Sequence, residues 1–266
     1  MLEAGFGGYM QKEKSRKKII CGIILSVIAA AALLIGAAAG AAQINAKPAQ
    51  HSIEEYRKAF PDVAITVSDD GTTELLPETG DSRTGIIFYC GAFIRPEAYI
   101  PLMARVSEQG YFCSIPKLTF NMAPLSQNIA DTVICDHPEI ETWYIGGHSM
   151  GGCMASGFAA DNENLISGLI FVASYPYCDM SDTNIPILSV LGDKDGVLRR
   201  ERYEERRSWN TPGFEEYTVN GANHAGFGDY GKQARDNEAA IPAEEQQKQA
   251  AEIICSWINE QTAGKQ

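Results

Sequence analysis

Residues 143–152 read WYIGGHSMGG, an apolar run that stops at Ser149 between Gly147 and Gly151. The spacing G-x-S-x-G is that of a nucleophile elbow, where a strand turns so sharply into a helix that the serine takes a strained backbone and only glycine fits beside it. The flanks agree with this. Residues 141–146 (ETWYIG) predict a short buried strand, and residues 151–160 (GGCMASGFAA) predict a helix of small residues that packs close beneath the turn. Ser149 is thereby presented as an attacking group.

A serine hydroxyl is a weak nucleophile at neutral pH and needs a base, normally a histidine oriented by a carboxylate. The chain has four histidines. His51 lies in a polar segment ahead of the folded domain, and His137 sits in an Asp136-His137-Pro138 turn. His148 adjoins the nucleophile, where a tight turn points neighbouring side chains in different directions. His224, in the loop NGANHAGFG after the predicted strand 215–219, is left as the base. The orienting acid belongs between serine and histidine, after another strand. The apolar run 186–191 ends in GDKDGV, which offers Asp193 and Asp195. Asp195 is preferred because it lies further past the strand end, where the loop bends toward His224, while Asp193 starts the turn; Asp193 stays the alternative.

Acyl transfer also needs N–H donors aimed at the developing oxyanion. One is expected from Met150, the residue after the nucleophile, and the other from the loop after strand 85–89. There Cys90-Gly91-Ala92-Phe93 follows the strand, and the N–H of Ala92 or Phe93 can face Ser149; Phe93 is favoured.

The segments GIIFYCGAFIRPEAY, IPKLTFNMA, GGHSMGG, GDKDGV and NHAGFGDYG together resemble the α/β-hydrolase superfamily, in particular its compact bacterial branch, from about residue 85 to the C-terminus. In that branch a proline and paired glycines usually precede the oxyanion loop, where this chain has Cys90, Gly91 and Ala92. The resemblance implies a Ser149, Asp195, His224 triad and hydrolysis of an ester-like bond. It names no substrate, since the fold serves many chemistries.

The coarse pattern agrees with that fold class, α/β. Strands are predicted at 85–89, 111–115, 141–146, 169–172, 187–191 and 215–219, alternating with helical stretches, as in a mostly parallel sheet covered on both faces. Strands at 64–67 and 74–76 flank Asp70-Gly71 and predict an antiparallel edge hairpin. Helices are predicted at 96–109, opening on Pro96, and at 243–262, where Ala250, Ile253, Ile254 and Trp257 share one face. The connection 173–186 (ASYPYCDMSDTNIP) is too short for a cap domain, so the site is expected to be open. Asn121 and Asp229, in loops that could shape it, are read equally as substrate contacts or as ordinary loop polarity.

Residues 19–42 (IICGIILSVIAAAALLIGAAAGAA) carry no charge over a span able to cross a bilayer, for which about 20 apolar residues suffice. Lys12, Lys14, Arg16, Lys17 and Lys18 precede it. The expected organisation is a cytoplasmic basic segment (1–18), a transmembrane signal anchor (19–42), a linker (43–55) and a hydrolase domain (56–266) facing outward. A cleaved signal peptide and a secreted product is the alternative; the apolar run exceeds the usual secretory core of about 7–15 residues. The net charge is −12, with −15 carried after residue 18, which argues against nucleic acid as a partner. Cys90, Cys113, Cys135, Cys153, Cys178 and Cys255 lack a compact framework and are expected to be free thiols, with Cys113, Cys153 and Cys255 buried and Cys178 the most reactive. No paired CxxC or His-rich cluster points to a metal, and no cofactor is expected. Two function classes follow: a serine hydrolase acting on a small ester or thioester, or a catalytically idle surface binding module on the same fold. An acyltransferase is a variant of the first.

Overall fold

The computed structural model describes residues 46–78 and 82–263, with Ile24, Val27, Ile28, Gly36, Ala37 and Gly40 before them. The chain divides into two compact units, Met1–Asn45 and Ala46–Gln266. Most of the expected anchor, and Cys21 within it, lies outside the described residues. Among the described residues no helix is long and apolar enough to cross a membrane.

The second unit is built on eight strands: β1 (Val63–Val67), β2 (Thr73–Pro77), β3 (Thr84–Tyr89), β4 (Phe112–Ile115), β5 (Thr142–His148), β6 (Gly168–Val172), β7 (Ile187–Gly192) and β8 (Phe214–Val219). They lie in one sheet in the order β1-β2-β4-β3-β5-β6-β7-β8. β1 and β2 form the expected hairpin, and β2 meets β4 antiparallel; every pairing from β4 to β8 is parallel. The hairpin turn works as its dipeptide implies: the Asp70 carboxylate accepts the Thr72 N–H at 2.9 Å, and Gly71 supplies φ +92°. Burial tracks this division. β1 alternates buried and exposed positions, whereas β6 and β7 are buried at every residue, as parallel strands covered on both faces must be.

Six helices complete the unit: α1 (Ile53–Ala59), α2 (Ile100–Ser107), α3 (Ile129–Asp136), α4 (Met150–Asp161), α5 (Arg200–Glu205) and α6 (Ala243–Ala263). The predicted helix at 96–109 is split into a 3₁₀ turn, Pro96–Tyr99, followed by α2, because Pro101 cannot donate a backbone bond to the preceding turn. α6 carries Ala250, Ile254 and Trp257 into the core and packs on α2, while α4 packs on β3, β5 and β6. No helix separates β6 from β7, so no cap domain covers the site there.

Residues 46–55 are not a free tether. Lys47 donates its N–H to Phe93 and receives that of Arg95, and Gln50 donates to the Asp229 carbonyl. His51 pairs with the Asp229 carboxylate at 2.7 Å, and α1 begins at Ile53 on a capping box formed by Ser52 and Glu55. The domain therefore starts at Ala46, ten residues earlier than its composition suggests. Backbone bonds outweigh the polar appearance of the segment, since groups buried against the domain must find partners.

Candidate active site

Ser149 stands at the junction of β5 and α4 with φ 54° and ψ −120°, a strained conformation costing about 1–3 kcal/mol that persists only where surroundings enforce it. The enforcement is visible. The Ser149 N–H donates to the Val172 carbonyl at 3.0 Å, and its carbonyl accepts the Ser174 hydroxyl at 2.6 Å. The flanking glycines are obligatory: a Cβ at Gly147 would lie 2.6 Å from the Tyr89 carbonyl oxygen, and one at Gly151 only 2.1 Å from it. The end of β3 is thus pressed against the start of α4. Met150, Gly151 and Gly152 form the first turn, whose N–H groups have no partner within the helix.

His224 follows β8 and is 1 % exposed. Its Nδ1–H donates to Asp195 Oδ2 at 2.8 Å. The other oxygen of Asp195 accepts the N–H groups of Val197 and Leu198, both at 2.8 Å. Burial by itself pushes the Asp195 carboxyl upward; the bonds from His224 and these two amides outweigh it and hold the group below its ordinary value. His224 Nε2 is buried and makes no hydrogen bond. It faces a cavity of about 390 Å³ that Ser149, Met150, Cys153, Leu198 and Arg199 also line. The structure therefore brings Ser149 and His224 onto one cavity, with Asp195 bonded to the far side of the imidazole. Asp193, the alternative acid, points elsewhere: exposed to solvent, it accepts the Gly221 N–H at 2.5 Å.

One expectation needs correction. The Phe93 N–H is already spent on the Asn121 carbonyl at 2.8 Å, with Phe93 at φ 57°, so it cannot serve an oxyanion. The N–H of Ala92, the other candidate in that loop, has no bond among the described residues. Met150 and Ala92 are the available pair. Asn121 and Asp229 prove structural. Asn121 is fully buried and accepts Lys117 Nζ at 2.6 Å, and Asp229 is held by His51 and Tyr56. All six domain cysteines are free. Cys153, expected to be buried, is instead half-buried and lines the cavity beside Ser149, and Cys135 rather than Cys178 is the exposed thiol.

His148 is fully engaged. Gly91 N–H donates to the Tyr99 hydroxyl at 3.1 Å, that hydroxyl donates to His148 Nδ1 at 2.9 Å, and His148 Nε2–H donates to the His224 carbonyl at 3.1 Å. Desolvation, reinforced by the neighbouring His224, holds the His148 pKa far below the ordinary value, so the ring stays neutral. This buried chain ties the loop after β3, the turn at Ser149 and the loop of His224 together. Nothing in the spacing of Tyr99 reveals it; the sequence signal is only a histidine next to the nucleophile.

The model of the alpha/beta hydrolase family matches residues 85–248. Among solved structures, the chain is similar to a predicted CIB-like hydrolase from Thermoplasma acidophilum, with 19 % identity and a TM-score of 0.52 over 73 % of this chain and 99 % of that one. It is similar to Est1E from Butyrivibrio proteoclasticus, with 15 % identity and a TM-score of 0.53 over 76 % and 99 %. A membrane phospholipase A, described as a bacterial virulence factor, gives 11 % identity and a TM-score of 0.58 over 92 % and 99 %. At these identities the structures speak for the fold alone. The search of curated proteins gives no match.

Proposed function

The chain belongs to the alpha/beta hydrolase family, and from that premise we propose that it is a serine hydrolase cleaving a carboxylic ester or thioester through an acyl-enzyme on Ser149. The observation that carries this reading is the buried, unbonded His224 Nε2 in the cavity that Ser149 lines, with the opposite ring nitrogen fixed on Asp195. A histidine whose Nδ1–H is committed has an Nε2 lone pair available as a base.

In this reaction Ser149 Oγ attacks the carbonyl carbon and His224 Nε2 takes its proton. The N–H groups of Met150 and Ala92 receive the oxyanion, and Asp195 stabilises the imidazolium. Collapse of the tetrahedral intermediate breaks the bond to the alcohol or thiol, which leaves with the proton from Nε2. Water then attacks the acyl-serine, giving one proton to Nε2 and releasing the acid as Ser149 recovers its own. The cavity, walled by Met150, Leu198 and Val197, fits a compact apolar acyl group. The cationic flank and apolar run of residues 12–42 support display of the domain from a membrane with the N-terminus in the cytoplasm. Retention of full-length protein in the membrane after alkaline carbonate washing is expected; a shortened soluble form would mean cleavage and secretion.

A fluorophosphonate probe tests the chemistry, because only an activated serine is phosphonylated. The wild type is expected to be labelled and Ser149→Ala to be silent. A folded wild type that takes no label would leave the domain as a binding module.

A further inference from the structure

Between the 3₁₀ turn Ala225–Phe227 and α6, the chain runs against the loops that carry Asp195 and His224 as a strap without helix or strand. We propose that Asp236 on this strap is a positioning residue for the hydrolytic reaction, locking the acid loop and the histidine loop into a single rigid unit. The proposal rests on the serine hydrolase reading above and adds to it a residue outside the triad.

The geometry is specific to both loops. One Asp236 oxygen accepts the N–H of Gly196, next to Asp195, at 3.0 Å, and the N–H of His224 itself at 3.2 Å. The other accepts the N–H of Ala225 at 2.8 Å. A single carboxylate thus holds the main chain on either side of the Asp195–His224 hydrogen bond. Two further features bring the strap this close. Arg235 adopts φ 69°, a left-handed conformation unfavourable for a side chain of its kind, which turns the strap so that Asp236 faces inward. Gly196 is the matching notch: a Cβ there would stand 2.7 Å from the Arg235 carbonyl oxygen and 2.9 Å from the Asn237 N–H nitrogen. A third contact, from Asn223 Nδ2 to the Asn237 carbonyl at 2.7 Å, fastens the strap to the histidine loop.

The consequence is kinetic. The reach of His224 Nε2 to Ser149 depends on where the two loops sit, and a misplacement near 1 Å costs about 100-fold in rate. Asp236 does not itself line the cavity and reaches it only through the main chain of His224, so its loss should lower kcat and leave KM nearly unchanged.

The experiment compares Asp236→Ala, Asp236→Asn and Gly196→Ala with Glu238→Gln, a strap variant that removes the same charge from an exposed ion pair with Lys232. Rates on a short-chain p-nitrophenyl ester are expressed per fluorophosphonate-titrated site. Asp236→Ala and Gly196→Ala are expected to lose about 30- to 100-fold in kcat with KM within about threefold. Asp236→Asn, which keeps one accepting oxygen, should recover part of the rate, and Glu238→Gln should match the wild type. Proton NMR supplies a readout independent of turnover: the low-field Nδ1–H signal of His224 should broaden in Asp236→Ala and persist in Glu238→Gln. A folded Asp236→Ala with the wild-type rate per site and an intact signal overturns the proposal. So does a rate loss that merely follows the fraction of unfolded protein. A wild type that takes no label overturns the hydrolase reading instead, and the proposal falls with it.

Discussion

The elbow after β5 and the loop after β8 each bury a histidine, the two rings standing 4.4 Å apart between centroids. Both are 1 % exposed. They differ in what their nitrogens do. His148 has both engaged, by the Tyr99 hydroxyl and the His224 carbonyl, and burial keeps it neutral. His224 has one engaged, by Asp195, and the other left bare toward the cavity. Proximity to Ser149 along the chain does not make a base; an uncommitted lone pair in the right place does.

Substitution should separate the two rings by orders of magnitude. His224→Ala is expected to cut acylation by about 10⁴-fold or more, while a folded His148→Phe loses at most about tenfold. Burst kinetics on an activated ester measures both, and equal losses would break the contrast. The acid loop repeats the lesson on a smaller scale. Asp195→Asn should lower kcat by about 10³- to 10⁴-fold through the wrong imidazole tautomer, whereas Asp193→Asn should stay within about threefold, as surface changes do. The reverse ranking would move the orienting role to Asp193.

Stability should show the opposite preference. His148→Phe keeps an aromatic ring but strands the Tyr99 hydroxyl and the His224 carbonyl, a cost of about 2–4 kcal/mol in urea unfolding. The smallest effect is pH-dependent. In the native state His148 resists protonation, while in the unfolded chain it titrates at its ordinary value near 6.5. The unfolded state therefore binds the extra proton first. The stability tied to neutral His148 is fully present above about pH 6.5 and declines as pH falls below it, by at most about 1.4 kcal/mol per unit. Denaturant titrations at pH 7.5 and 5.5 should show this slope in the wild type and its loss in His148→Phe; an unchanged slope would mean that the ring charges in place.

The elbow is legible because only glycine fits at 147 and 151, and the parallel strands because β6 and β7 are nearly continuous apolar runs, with Ser189 the one polar residue. Helix α1 is harder to read from sequence, although Ser52 and Glu55 spell a capping box. Its short, charged stretch lacks the periodicity that marks a helix at a glance. The engagement of the Phe93 N–H by Asn121 is not legible at all, since a sequence of side chains carries no record of which main-chain N–H a distant carbonyl will claim.

From its amino acids alone the protein declared the succession of its strands, a candidate serine and histidine, and a preference for Asp195 over Asp193. Those signals are local: residue size beside a tight turn, apolar periodicity, and the order of motifs along the chain. Tertiary structure supplied the partners: it bound His224 to Asp195 and Asp193 to Gly221, engaged both nitrogens of His148, shifted the free amide from Phe93 to Ala92 and brought Asp236 against the two loops. Each of those outcomes depends on hydrogen bonds between groups far apart in the chain, which form only when the backbone folds.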